Sequence, residues 1–361
     1  MNNVGLSPGW VLPEIILPVG ISFYTFQSLS YTIDIYREQS KPVDSFAVFA
    51  TYVAFFPQLM AGPIERAARL LPQFLERAVW NSERFRSGLV LIVTGYFKKV
   101  YVGDNCGLVA AHAFQPGTEL NGWWAILGVL AFAFQIYGDF GGYSDIARGS
   151  ARLLGVELTQ NFRFPYFATS PSDFWRRWHV SLSSWFRDYI YIPLGGNRGG
   201  RGRMARNLMI TMVLASLWHG AGWMCLLWGF YHGAILVLWR READAANVSR
   251  LRRCWKIMGM FGLTLFGWAL FRCGDIGQFG NWLTGFMFWS DSGVGAPGSA
   301  FVWLLAHIVP LLLIQAFTIH SCDEGDLSRM PAWGRGVWLL VMFLLIASTN
   351  DLQPTFIYFQ F

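Results

Sequence analysis

Charge is scarce in this chain. Only 14% of its 361 residues are Asp, Glu, Lys or Arg, where soluble domains carry about 25%. That shortage excludes a globular enzyme held by a single anchor. Lysine is nearly missing: Lys41, Lys98, Lys99 and Lys256 are the four, so the net charge of +6 is almost wholly arginine. Basic loops at a membrane account for that excess under the positive-inside rule, and nucleic acid is not expected as a partner. No RNP-like motif, zinc finger or base-reading basic helix appears. The five cysteines (Cys106, Cys225, Cys254, Cys273 and Cys322) contain no CxxC pair. They give no disulfide framework and no redox signature, and no metal site is expected from these spacings. The N-terminus lacks a basic n-region and an A-x-A cleavage site, so the first apolar span itself is expected to serve insertion.

What the chain has in abundance is apolar and aromatic residues, 54% and 17% of the total, with a mean hydropathy of +0.36. The expected fold class is an all-α polytopic membrane protein. Helical segments are predicted at Ile15–Ile35, Phe46–Ala61, Leu89–Val109, Trp123–Phe140, Leu208–Trp218, Trp223–Trp239, Ile257–Phe271, Phe301–Phe317 and Gly336–Ala347, with a shorter one at Trp282–Trp289. A full span needs about 20 apolar residues, and several of these fall short. About eight to ten transmembrane or re-entrant helices therefore fit better than a simple bundle, because irregular backbone must pack inside protein. Lys98 and Lys99 interrupt one segment and either snorkel or mark its edge. One membrane domain is expected over 1–361, with its largest polar insert at 148–206. That insert holds ten arginines and no lysine, which predicts a cytoplasmic location.

Asn207–Trp239 runs for roughly thirty residues without a formal charge, yet carries His219 and His232. A titratable group in hydrocarbon costs several kcal/mol and is a functional-site hypothesis by default. Imidazole also suits proton transfer near neutral pH. The plain alternative is a neutral histidine hydrogen-bonded between packed helices. The two are thirteen residues apart, about 220° around an unbroken helix, although Gly220 and Gly222 predict a break. His219 is the stronger candidate, and His232 is left outside the core site.

Within the insert, Thr169-Ser170-Pro171-Ser172-Asp173 reads as a helix start: hydroxyl cap, proline, then an acid in the first turn. Phe174, Trp178, Leu182, Trp185 and Tyr189 then recur at helical spacing. They predict one amphipathic helix at the membrane interface. His179 falls on its apolar side, either as a packed histidine or as a second polar group facing the chamber of His219. The Gly- and Arg-rich turn Gly195–Arg206 lacks the GK[ST] ending of a P-loop. Its amides and guanidiniums could hold an anionic thioester donor, or simply anchor the loop. Tyr137–Asp145 is predicted to end a span; Asp139 and Asp145 then pair with insert arginines or orient a catalytic group.

The runs NFRFPY (161–166), DFWRRWHVSLSSWFRDYIYIPLGGNRGG (173–200) and NLMITMVLASLWHGAGW (207–223) resemble the membrane-bound O-acyltransferase family, in its alginate O-acetyltransferase branch. PVGISFYTFQSLSYTIDIYR (18–37), FPQLMAGPIERAARLLPQF (56–74), YGDFGGYSDIARG (137–149) and FIYFQF (356–361) extend the likeness over nearly the whole chain. The resemblance implies a funnel-like fold of the inner membrane, with an essential histidine in Trp218-His219-Gly220 and a second functional histidine at His179. It implies an acetyl group moving from a cytoplasmic thioester, acetyl-coenzyme A or another, towards an exported polysaccharide by way of extracytoplasmic acetyltransferase- or esterase-like partners. No bound cofactor is expected. Gly141 stands where the branch commonly has Ser, and Arg163 where a neutral residue is usual. Further spans commonly precede the stretch at Pro18 in that family, where this sequence has Met1–Glu14.

Combined, these readings predict an O-acetyltransferase. His219, desolvated between helices, stays neutral and serves as general base on the acceptor hydroxyl; His179 orients the acceptor or shuttles the proton. Arg176, Arg177, Asn197, Arg198 and Asp139 are the candidate donor-binding residues. Tryptophan N–H groups and helix-terminal amides are candidates for oxyanion donors, with none assignable from sequence. The competing classes are a non-catalytic transporter or flippase and a structural subunit of a polysaccharide export complex.

Overall fold

A long helical hairpin organises the molecule. The computed structural model describes residues 20–77, 79–115, 121–239, 249–288, 298–320, 323, 327 and 330–349. Fourteen α-helices run through these residues, with no strand among them. They are α1 (Ile21–Tyr36), α2 (Phe46–Ala54), α3 (Ala67–Leu75), α4 (Ser82–Tyr96), α5 (Asn105–Ala113), α6 (Gly122–Leu153) and α7 (Pro171–Trp175). The rest are α8 (Val180–Phe186), α9 (Gly200–Leu217), α10 (Trp223–Leu238), α11 (Arg250–Arg272), α12 (Ile276–Phe288), α13 (Gly298–Thr318) and α14 (Ala332–Ala347). A π-helical stretch, Phe97–Asp104, joins α4 to α5 without a break. Helices α6, α11 and α13 are long and apolar enough to cross a membrane; α10 and α14 are apolar but shorter.

Helix α6 starts where Asn121 accepts a hydrogen bond from the Trp124 N–H, and it packs along the whole α4–π–α5 rod. Glycines permit the approach. A Cβ at Gly95 would lie 2.6 Å from the Gly142 carbonyl, one at Gly138 2.6 Å from the Lys98 carbonyl, and one at Gly149 2.5 Å from the Gly88 carbonyl. The seam follows the small-residue logic of membrane helices, in which backbones meet directly.

Charges lie in the same seam. Lys98 Nζ donates to Asp145 at 2.7 Å and Lys99 Nζ to Asp139 at 2.9 Å. Lys99 also meets Asp104, and Arg148 joins Asp145 to Asp323. Lys98 is only 1% exposed, so these lysines neither snorkel nor mark an edge: they neutralise the carboxylates of α6. That pairing, with glycines serving contact instead of breaking the helix, lets α6 run to Leu153, past the end predicted at Phe140.

Other helices build outwards. Helix α6 also touches α11, α12 and α13, while α13 and α14 cover the π-helical stretch. Helices α9 and α10 form a tight hairpin next to α11; a Cβ at Gly229 would approach Ser216 Cβ to 2.7 Å. Helix α2 stops at Ala54, seven residues before the predicted end, because Phe55 turns extended ahead of Pro57. Helix α3, absent from the sequence prediction, is a short amphipathic piece burying Leu70 and Leu71. The predicted start at Ile15 and the FIYFQF run lie outside the described residues.

The insert departs most from expectation. Its start is as predicted, with Ser170 capping the Asp173 N–H and Pro171 opening α7. One continuous helix does not follow. The chain breaks after Trp175, and His179 adopts a left-handed conformation (φ 42°) before α8 begins. Asn161 fixes the break: its carbonyl accepts from the Val180 N–H at 2.9 Å. Its side-chain oxygen accepts from the Ser181 N–H and hydroxyl at 3.2 and 2.7 Å. Phe174, Trp178, Leu182 and Trp185 are buried in the protein core, not laid on a surface. Trp185 packs on Phe26 of α1 at 4.3 Å and donates its indole N–H to the Phe26 carbonyl.

Candidate active site

The α9–α10 turn and the broken insert helix bring two histidines to one place. Helix α9 ends at Leu217, the His219 N–H bonds the Ser216 carbonyl at 2.9 Å, and α10 restarts at Trp223. His219 is thus half-buried on a turn. Its ring lies 4.6 Å from Trp218, 5.2 Å from Phe271 and 5.7 Å from Trp228, centroid to centroid. His179 is 2% exposed and meets Phe140 edge-on at 4.5 Å. Trp218 also approaches His179, at 6.4 Å.

Both histidines line a narrow cavity of about 20 Å³, otherwise walled by aromatic and aliphatic residues including Ile136, Phe140, Trp178 and Trp268. A pocket of that size admits one water-sized group. His219 also lines a second, open chamber of about 600 Å³ bounded by insert residues and α9. Trp175, Leu182 and Trp228 likewise border both spaces. His219 therefore stands on the partition between a small buried pocket and a large open one.

The chamber wall takes in Arg176 and Asn197, two of the residues expected to contact a donor. Asn197 accepts a hydrogen bond from the Tyr191 hydroxyl at 2.5 Å. Arg163, Arg187, Ser183 and Thr211 share the wall; sequence reasoning did not assign them. Arg163 drew notice only as a cation where neutral residues are usual, and that was the available signal. Arg177 turns elsewhere, with its Nε on Asp173 at 2.8 Å and Nη1 on the Arg163 carbonyl at 3.3 Å. Arg198 is an exposed turn residue whose N–H bonds the Gly195 carbonyl. Asp139 faces Lys99 across the α6 seam. These three do not join the chamber wall described above. His232 lines neither cavity; it is buried against Trp228 at 4.7 Å and Trp175 at 5.2 Å.

Chemically, the arrangement offers an imidazole on the border of a cation-bearing chamber, with a second imidazole beyond it in an apolar pocket. Fold and site define the class: a helical membrane protein with two histidines on one cavity inside its own body. The chain belongs to the membrane-bound O-acyltransferase family, whose family model matches residues 21–248. It is a multi-pass bacterial membrane protein. It is 41% identical over 294 residues to the protein called "Probable alginate O-acetylase AlgI" in Pseudomonas putida, covering 78% of this chain and 59% of that one. A "Peptidoglycan O-acetyltransferase" of Helicobacter pylori is 34% identical, over 73% of this chain and 55% of its own length. A "Teichoic acid D-alanyltransferase" of Streptococcus thermophilus is 28% identical, over 64% and 60%. The chain thus spans little more than half the length of the curated relatives it matches.

Proposed function

We propose that this protein is a membrane O-acetyltransferase, carrying acetyl from a thioester donor towards the hydroxyls of an exported, alginate-like polysaccharide. The observation that carries this reading is the position of His219 on the wall of both cavities. The acyl families of its relatives, alginate, peptidoglycan and teichoic acid modification, support the reaction class.

His219 acts as general base, a role worth about 10²–10⁴-fold. It takes the proton of the acceptor hydroxyl as that oxygen attacks the thioester carbonyl carbon. The tetrahedral intermediate collapses, the C–S bond breaks, and the thiolate leaves with the proton returned by His219. His179 orients the acceptor or holds the proton in transit. Arg176 and Asn197, together with Arg163 and Arg187, give the donor's anionic end its binding surface. Guanidinium forks suit phosphate oxygens. Acetyl-coenzyme A is the proposed donor, the cytoplasmic membrane the site, and extracytoplasmic acetyltransferase- or esterase-like proteins the onward carriers.

Labelled acetyl-coenzyme A supplied to inverted membrane vesicles containing the protein and its extracytoplasmic partner tests the reading. New acetyl ester on the partner or polymer is the expected product. Movement of donor without ester formation would favour a transporter instead.

A further inference from the structure

Three indole N–H groups of the histidine pocket, those of Trp175, Trp228 and Trp268, find no acceptor among the described residues, and of these only Trp175 and Trp228 also border the open chamber. The Nε1 atoms of Trp175 and Trp228 are both buried and unpartnered. Leaving such a donor without an acceptor is unfavourable, so each instance needs a reason. Both side chains line the 20 Å³ pocket with His179 and His219, and both line the open chamber. Their rings sit 5.7 Å apart and nearly perpendicular, and Trp228 stands 5.7 Å from His219. His232, which borders neither space, packs edge-on against both and braces them. The pocket wall is otherwise largely hydrocarbon and aromatic, a low-dielectric setting in which a fixed N–H dipole acts strongly on developing charge.

We infer that the indole N–H groups of Trp175 and Trp228 form the oxyanion hole of this site. This rests on the acyl-transfer reading above. When the acceptor oxygen bonds to the thioester carbonyl carbon, the C=O pair moves onto oxygen. The resulting oxyanion receives the two indole hydrogen bonds, and no proton leaves either ring. Collapse restores the C=O bond and expels the thiolate. A 20 Å³ space fits a single oxygen-sized group, and its position beside His219 puts that oxygen next to the base. Neutral donors suit the task, because they favour the charged intermediate without requiring a buried cation.

Replacing Trp228, and separately Trp175, by 3-benzothienylalanine keeps the bicyclic shape and puts a sulfur, which cannot donate, in place of the N–H. Thiol release from acetyl-coenzyme A, in the presence of the acceptor partner, is then compared with wild type and His219→Ala. For each replacement we expect kcat to fall about 10²-fold while KM for acetyl-coenzyme A moves less than about twofold. Trp228→Phe and Trp175→Phe serve as natural-side-chain counterparts, with monodispersity and Tm checking the fold. Wild-type kcat in both benzothienylalanine proteins, with His219→Ala inactive, would overturn the oxyanion assignment alone. Thiol release unchanged in His219→Ala would overturn the acyl-transfer reading as well.

Discussion

At the scale of single residues, the proposed site brings together two histidines held by quite different means. His219 stood out in the sequence because a titratable side chain in a charge-free apolar run is costly. The turn that presents it is where Gly220 and Gly222 placed a break. His179 was recognised, but its geometry was not, since helical periodicity assigns it to an unbroken face. Its left-handed backbone depends on Asn161, eighteen residues earlier. Asparagine tolerates that conformation better than most residues, which separates backbone from imidazole. His179→Asn is expected to keep wild-type Tm and lose about 10²-fold in transfer rate. A wild-type rate would reduce His179 to a packing residue. Gly267 offers a gentler probe: a Cβ there would lie 2.7 Å from His232 Nε2. Gly267→Ala should push that ring against Trp175 and Trp228, lowering kcat more than it changes donor KM.

Among the elements, the α4–π–α5 rod against α6 carries the scaffold. Its existence was legible from two apolar segments, but its length was not. Gly138, Gly141, Gly142 and the two aspartates read locally as a helix end, because contact with Gly95 and pairing with Lys98 and Lys99 are long-range facts. The broken insert escaped for the same reason. Gly142→Ala would set a Cβ 2.6 Å from the Gly95 carbonyl and 2.9 Å from the Lys99 nitrogen. Overpacking of that kind costs about 1–3 kcal/mol, to be read as a lower Tm in detergent. Gly262→Ala on α11, with nothing within 4 Å of the added carbon, should leave Tm unchanged or raise it slightly. Equal losses in both variants would contradict the seam. Lys98→Met strips Asp145 of its nearest cation and should cost about 3–5 kcal/mol, with Lys98→Met/Asp145→Asn recovering part of it. No recovery in the double variant would contradict the pairing account.

For the whole molecule, the arginine-lined chamber and the apolar histidine pocket meet at one partition, and orientation in the bilayer decides which substrate enters where. Ten arginines in the insert predict that the chamber opens to the cytoplasm. In a Cys254→Ser background, Ser172→Cys on the chamber wall should resist an impermeant maleimide in intact spheroplasts and react once the membrane is opened. Labelling of intact cells would reverse the topology and exclude a cytoplasmic donor there. The central claim is that His219 performs the proton transfer of an acyl exchange, and one comparison tests it most directly. Thiol release from acetyl-coenzyme A is measured for wild type and His219→Ala, reconstituted with the acceptor partner and matched for Tm. A loss of about 10²–10⁴-fold in kcat with donor binding retained is the predicted result; turnover by the alanine variant at the wild-type rate would contradict the account.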